Sequence, residues 1–272
     1  MKVSPARRAA FEILRRVEEE GAYSSALLAA TDDGLNSKDR ALTHELVLGV
    51  LRNQLWLDRT IEHFASREVE KLDLPVALAL RLGVYQVRFL TRIPESAAVN
   101  ESVNLVKAAR VKSAATFVNA VLRRVTREQN YDPAAKAADE TEKLVIATSH
   151  PRWLIKRWTS QFGAGEAAAI ARANNESAAL AFRFTAKARD SPGKIIGELK
   201  ADGADLIESK IAPGGWRVSR LPRANENTGR DAGEPQARRP QRGCRAGDPG
   251  SMPALPMPAL QRFAAEGLIY FQ

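Results

Sequence analysis

Apolar residues recur every three or four positions through roughly the first 130 residues, the spacing that puts them on one face of a helix. Ala10, Ile13, Leu14 and Val17 share such a face, with Arg8, Glu12 and Arg15 opposite. Ser4 followed by Pro5 predicts where this helix starts, since a serine hydroxyl can cap a free amide and proline lacks only an N–H that would have no partner there. The stretch DLPVALALRLGVYQVRFL, from Asp73 to Leu90, is apolar on nearly every face except at Arg81, Gln86 and Arg88. A helix of that kind must be enclosed by others. Leu42 with Leu46, Ile61 with Phe64 and Ala65, Val103 with Val106, and Phe117 with Val121 and Val125 supply the facing stripes, so this region is expected to be an all-α bundle.

A second region opens at HPRWLIKRWTSQFG. Pro151 marks a helix start, Gly163 a stop, and Trp153, Leu154, Trp158 and Phe162 form an apolar stripe expected to face a core rather than to stack on bases. After an alanine-rich helix, ALAFRFTA predicts a strand, PGKIIGELKADG a helix, and ADLIESKIA and GGWRVSR one or two further strands. The expected fold is therefore mainly α, followed by a partial α+β (β-α-β) module. Between Leu221 and Pro258 the pattern stops: this segment holds seven of the 14 prolines and no Val, Ile, Phe, Trp or Tyr. It cannot bury enough apolar surface to offset the entropy of ordering, so it is expected to be a disordered Pro/Arg/Gly-rich tail. An arginine-rich RNA tail, a linker and an out-of-frame reading of a GC-rich gene would each yield such a composition. The expected divisions are 1–132 (helical bundle), 133–220 (helical linker and small α+β module), 221–258 (disordered segment) and 259–272, where RFAAEGLIYFQ reads as helix, glycine and strand.

Composition narrows the function. No apolar run approaches the roughly 18 residues of a membrane span, and the N-terminus lacks the apolar core of a secretory signal, so a cytoplasmic protein without a membrane partner is expected. One cysteine excludes an internal disulfide framework, and His44, His63 and His150 have no metal-ligand spacing, so no metal site is expected. The net charge of +9 points to a polyanionic partner. From Ser102 to Arg127 the chain carries Lys107, Arg110, Lys112, Arg123, Arg124 and Arg127 with no Asp or Glu among them. A solvated helix face is one reading of such a run, and phosphate binding is the other.

Three stretches, AAVNESVNLVKAARVKSAATFVNAVLRRV, LVLGVLRNQLWLDRTI and LALRLGVYQVRFL, resemble the NusB-type domain that opens the RsmB/Sun (Fmu) family of 16S ribosomal RNA cytosine-C5 methyltransferases. HPRWLIKRW and GLIYFQ extend the resemblance beyond the bundle. Leu122, Arg123 and Arg124 after Asn119-Ala120-Val121, and the continuation past His150, are similar to the methyltransferases rather than to free-standing NusB factors. One departure lies in ALAFRFTA: the family strand reads Leu-Arg-Val-Asn, and here Arg183 is kept while Phe184 and Thr185 replace the following pair.

The resemblance implies a cysteine thiolate that adds to carbon 6 of cytosine and a methyl group from S-adenosylmethionine, both supplied by a doubly wound α/β domain. In the family that domain follows a Tyr-or-Phe-x-Gln-Asp-Glu segment, and this sequence reaches Gln272 just before it. Leu268, Ile269, Tyr270 and Phe271 are then expected to lie exposed without their neighbours. Cys244, in RRPQRGCRAGDPG, is favoured electrostatically as a thiolate, but it lacks the family's Pro-Cys context and a framework to aim it. QFGAGEAAAI has glycines after a helix, not after a strand as a cofactor loop requires. No catalytic, cofactor-binding or metal-binding residue is therefore expected here; S-adenosylmethionine is implied only for the full-length family.

The expected function is the RNA-positioning N-terminal part of such a methyltransferase, inactive alone. It would hold small-subunit rRNA through phosphate contacts from Lys107, Arg110, Lys112, Arg123 and Arg124, with Arg7 and Arg8 as a second choice near a helix N-terminus. Asn119 is expected to bond to a neighbouring loop, and Asn100 and Glu101 only to cap helices. The alternatives are a stand-alone NusB-like antitermination factor joining RNA to a ribosomal-protein partner, and a dimeric interaction module.

Overall fold

The computed structural model describes residues 3–31, 34–176, 180–188, 192–220 and 269–271, which fall into two compact units, Met1–Glu176 and Ser177–Gln272. The first contains α1 (Pro5–Glu20), α2 (Ser24–Thr31), α3 (Ser37–Arg52), α4 (Gln54–Ala65), α5 (Leu74–Phe89), α6 (Glu95–Ala108), α7 (Ala115–Arg127), α8 (Glu140–Thr148) and α9 (Arg152–Asn175). The second contains β1 (Ala181–Phe184), α10 (Pro192–Ala201), β2 (Asp205–Glu208), β3 (Gly215–Arg220) and β4 (Ile269–Phe271).

As its all-round apolarity requires, α5 is the axis of the bundle: every residue from Val76 to Gln86 is buried. Leu78, Leu80 and Leu82 are wholly excluded from solvent, each contributing about 1.5–3 kcal/mol of transfer free energy. The facing stripes close around it through Leu46, Ile61, Phe64, Val106, Val121 and Val125. At Gly49 of α3 the packing leaves no room for a side chain, because a Cβ there would lie 2.0 Å from Tyr85 Cζ. Arg81, the one buried cation of this helix, donates from Nε and Nη2 to both carboxylate oxygens of Asp58 (2.7 and 2.9 Å) and from Nη1 to Glu18 (2.8 Å). Burial opposes its charge, but the two carboxylates outweigh that and hold its pKa above the ordinary value.

The start of α1 is held differently from the expected serine cap. Ser4 makes no side-chain bond to the helix amides. Its Oγ instead accepts from Arg7 Nη1 (3.0 Å), and its own N–H donates to Glu101 Oε2 of α6 (3.0 Å). Glu101 thus serves a helix start, that of α1, and ties α6 to it. The helical stretch of α9 is broken at Gly163, whose φ of 84° and ψ of 163° suit glycine alone. A Cβ at Gly163 would meet nothing within 4 Å, so conformation rather than space requires glycine here.

The aromatic stripe before Gly163 departs from expectation. Trp158 does pack beside a small core of Val145, Ile155 and Ala171, but Trp153 and Phe162 are 64% and 55% exposed. The buried line of this helix runs through Ile155, and Trp153 lies about 160° round from it, at 100° per residue.

In the second unit the strands form an antiparallel sheet in the order β2-β3-β1-β4. Phe182 and Val218 join Ile195 and Leu199 of α10 in one core. ADLIESKIA and GGWRVSR provide two strands, linked by a loop over 209–214 across whose base Ser209 N–H donates to Gly215 O (2.8 Å). The backbone of β4 pairs with β1, Phe271 opposite Phe182 and Ile269 opposite Phe184. Residues Ile269 to Phe271 therefore have a neighbouring strand through their backbone. The expected disordered segment and Cys244 lie outside the described residues.

Candidate nucleic-acid interface

The cations of the acid-free run are presented by α6, α7 and the turn between them. On α7 the exposed positions Thr116, Ala120, Arg123 and Arg127 fall in one stripe at i, i+4, i+7 and i+11, with exposed Lys112 in the turn at its N-terminal end. Val118, Val121, Leu122 and Val125 occupy the other side and lock the helix to the core. From Thr116 to Arg127 the stripe runs about 16 Å at 1.5 Å per residue. Thr116 and Ala120 are short enough to let a phosphate backbone come close to the helix between the cations.

Arg110 is exposed at the end of α6 in the left-handed conformation, with φ 66°. Two bonds explain why: Val111 N–H donates to Val106 O (3.1 Å) and Arg110 N–H to Lys107 O (3.2 Å). This is the Schellman arrangement, completed by apolar contact of Val111 with the core that holds Val106, and its left-handed position is normally glycine. An arginine there costs about 1 kcal/mol relative to glycine. The cap therefore needs glycine's conformation, while the residue kept in it adds a cation to the exposed edge.

The remaining sequence-predicted cations divide. Lys107 is half-buried. Arg124 is also exposed, but it donates from Nη1 to Phe64 O (2.7 Å) with its guanidinium 5.9 Å from the Phe64 ring centroid, so it fastens α7 to the end of α4. Arg7 is half-buried and donates from Nε to Gln86 Oε1 (2.6 Å); burial draws its pKa below the ordinary value, against the pull of Glu101 and Asp39. Arg8 is exposed on α1. Asn119 departs from its expected loop partner: its Oδ1 accepts from Arg123 Nε (3.2 Å) one turn on. Arg127 is not among the residues preferred from the sequence, yet its spacing of four from Arg123 places it on the same stripe. Arg88 steadies the far end of α7 by donating to the carbonyl oxygens of Gln129 and Glu128.

The histidines are dispersed. His63 stacks on Tyr131 with centroids 4.1 Å apart, and His150 Nδ1 lies 2.8 Å from Thr148 O. Among the described residues no group of three or more His, Cys, Asp or Glu could hold a metal ion, and no helix is long and apolar enough to cross a membrane.

Residues 4–127 match the NusB family, and residues 150–221 match the ferredoxin-like domain described as Methyltr_RsmF/B-like. The chain belongs to the RsmB/Sun family. The "Probable ribosomal RNA small subunit methyltransferase B" of Bacillus subtilis is 33% identical over 218 residues, covering 79% of this chain and 45% of that protein. A protein of the same description from Synechocystis sp. is 33% identical over 183 residues, covering 66% and 40%. The chain thus spans less than half the length of these RsmB/Sun relatives. The crystal structure of PH0851 has the same fold over 82% of this chain and 50% of its own, at TM-score 0.57 and 18% identity.

Proposed function

We propose that this chain binds RNA, in particular small-subunit ribosomal RNA, and acts as the RNA-positioning region of an rRNA cytosine-C5 methyltransferase without carrying the chemistry itself. The observation that supports this is the edge formed by Arg110, Lys112, Arg123 and Arg127: four exposed cations within a run that holds no carboxylate. Such an edge attracts a phosphate backbone and releases its counterions, a sequence-independent hold suited to positioning. The names of the relatives supply the substrate class, and the ferredoxin-like match at residues 150–221 favours a methyltransferase over a stand-alone antitermination factor. The described residues do not fit S-adenosylmethionine. Gly163 and Gly165 lie within a helical stretch instead of following a strand, and the described strands pair only antiparallel, with no parallel βαβ unit among them. No step of methyl transfer is therefore assigned to them.

The test is a salt titration of binding to a small-subunit rRNA fragment. Replacing Arg110, Arg123 and Arg127 together by Ala should weaken binding and reduce the slope of log K against log salt by ~0.7–0.9 for each phosphate that is no longer neutralised. Unchanged affinity and slope would remove this edge from the function. Arg124→Ala is unsuited to the purpose, since it also unties Phe64.

A further inference from the structure

The helix Arg152–Phe162 presents a face that the bundle does not use. Trp153, Lys156, Arg157 and Ser160, at i, i+3, i+4 and i+7, are all exposed and fall within an arc of about 100° around the axis. Trp153 keeps 64% of its surface in solvent. The same helix packs a tryptophan inward where it needs one, since half-buried Trp158 lies against the core around Ile155 and 5.5 Å from the His150 ring. The outward indole is therefore not a failure of the helix to find its core. No Asp or Glu occurs from His150 to Gly165. The carboxylate that does approach, Asp139, caps α8 and is taken up by Arg152 (2.8 Å) and by the Glu142 N–H (2.6 Å).

We propose that this face is a second RNA-binding site, selective for a single-stranded segment, in which one base stacks on the Trp153 indole while the flanking phosphates are held by Lys156 and Arg157. The charge and the geometry both favour this occupant. A face built for protein docking surrounds its aromatic anchor with apolar or small neighbours, whereas this indole has an ammonium one turn away on one side and a guanidinium on the other. Paired bases in a duplex cannot offer their faces to an indole, but an unpaired base can, whatever its identity. The site lies on a different helix from the α6–α7 edge, so either can fail without the other.

The probe is a ten-nucleotide oligouridylate, with a duplex RNA of equal length for comparison, titrated against the full chain by fluorescence anisotropy of labelled RNA. Trp153→Ala should weaken oligouridylate binding about tenfold and leave duplex binding within about twofold, while Trp153→Phe, which keeps a stacking face, should retain most of the affinity. Lys156→Ala with Arg157→Ala should lower the single-strand salt slope by ~1.4. The same Trp153→Ala loss should persist when Arg110 and Arg123 are already alanine, which separates this site from the bundle edge. Equal binding of the single strand by wild type and Trp153→Ala would overturn the proposal, as would an equal loss on single strand and duplex. So would a Trp153-dependent self-association in sedimentation velocity with RNA binding unchanged, which would make the face an interface between copies. Trp153 is exposed, so thermal melting of each variant should match wild type and keep these readings free of folding effects.

Discussion

Arg81 at the centre of the bundle and Arg110 at its α6–α7 rim are placed by opposite logics. Arg81 is 9% exposed by side chain, and Asp58 and Glu18 meet all its polar edges. Arg110 is exposed and sits in a backbone conformation that glycine would occupy at lower cost. At the centre a cation is tolerated because pairing cancels the loss of hydration; at the rim a cation is held although it weakens the helix end. A charge whose removal should cost stability belongs to the fold, whereas one whose removal should add stability belongs to something outside the fold.

The sharpest way to break this contrast is Arg81→Ala, which would strand two carboxylates against the core. It should destabilise the chain by about 3–5 kcal/mol in urea unfolding, and adding Asp58→Ala should recover part of the loss. A loss below about 1 kcal/mol would show that the pair is solvated and not structural. Also at the centre, Gly49→Ala would drive a methyl group into the Tyr85 ring, and a cost of about 1–3 kcal/mol is expected by the same measurement. At the rim the sign should reverse: Arg110→Gly should raise stability by about 1 kcal/mol while weakening binding to the rRNA fragment. Arg110→Gly that loses stability, or gains it with RNA affinity unchanged, would erase the distinction between the two arginines.

The smallest effect concerns pH. Burial first, then Lys136 and Arg124, depress the pKa of His63 below its ordinary 6.5, against the opposing pull of Glu128. The unfolded chain therefore takes up this proton at a higher pH than the folded one, so His63 contributes stability above pH 6.5 that declines as the pH falls towards its folded value. His63→Phe, which keeps a ring to stack on Tyr131, should flatten stability between pH 7 and 5 by a few tenths of a kcal/mol at most, measured as midpoint shifts in urea.

Much of this was legible in the chain because helix packing is written locally. The enclosed helix α5 follows from a run with no polar face, and the two breaks at Pro151 and Gly163 follow from residues with singular backbone preferences. The strands β2 and β3 and the helix before them were equally plain. The site was legible only as a list of cations. Sequence spacing alone does not say that Arg124 reaches Phe64 O, that Arg7 is engaged by Gln86, or that Arg127 completes the stripe. A long flexible side chain takes its direction from whatever acceptor the fold brings within reach, and those acceptors here are 60 and 79 residues away in the chain.

The tryptophans make the same point from the apolar side. Trp153 and Trp158 look alike in the sequence and are expected there to share one apolar stripe, although five residues place them about 140° apart around a helix. Only the packing of α8 against α9 decides that Ile155 faces the core, which half-buries Trp158 and turns Trp153 outward. By itself the sequence determined the class of most described elements, the family and the chain's own net charge, because composition and periodicity are properties of short stretches. Tertiary structure decided which cations and which aromatic ring stay exposed and which are engaged, because burial and pairing depend on distant residues brought together by the fold.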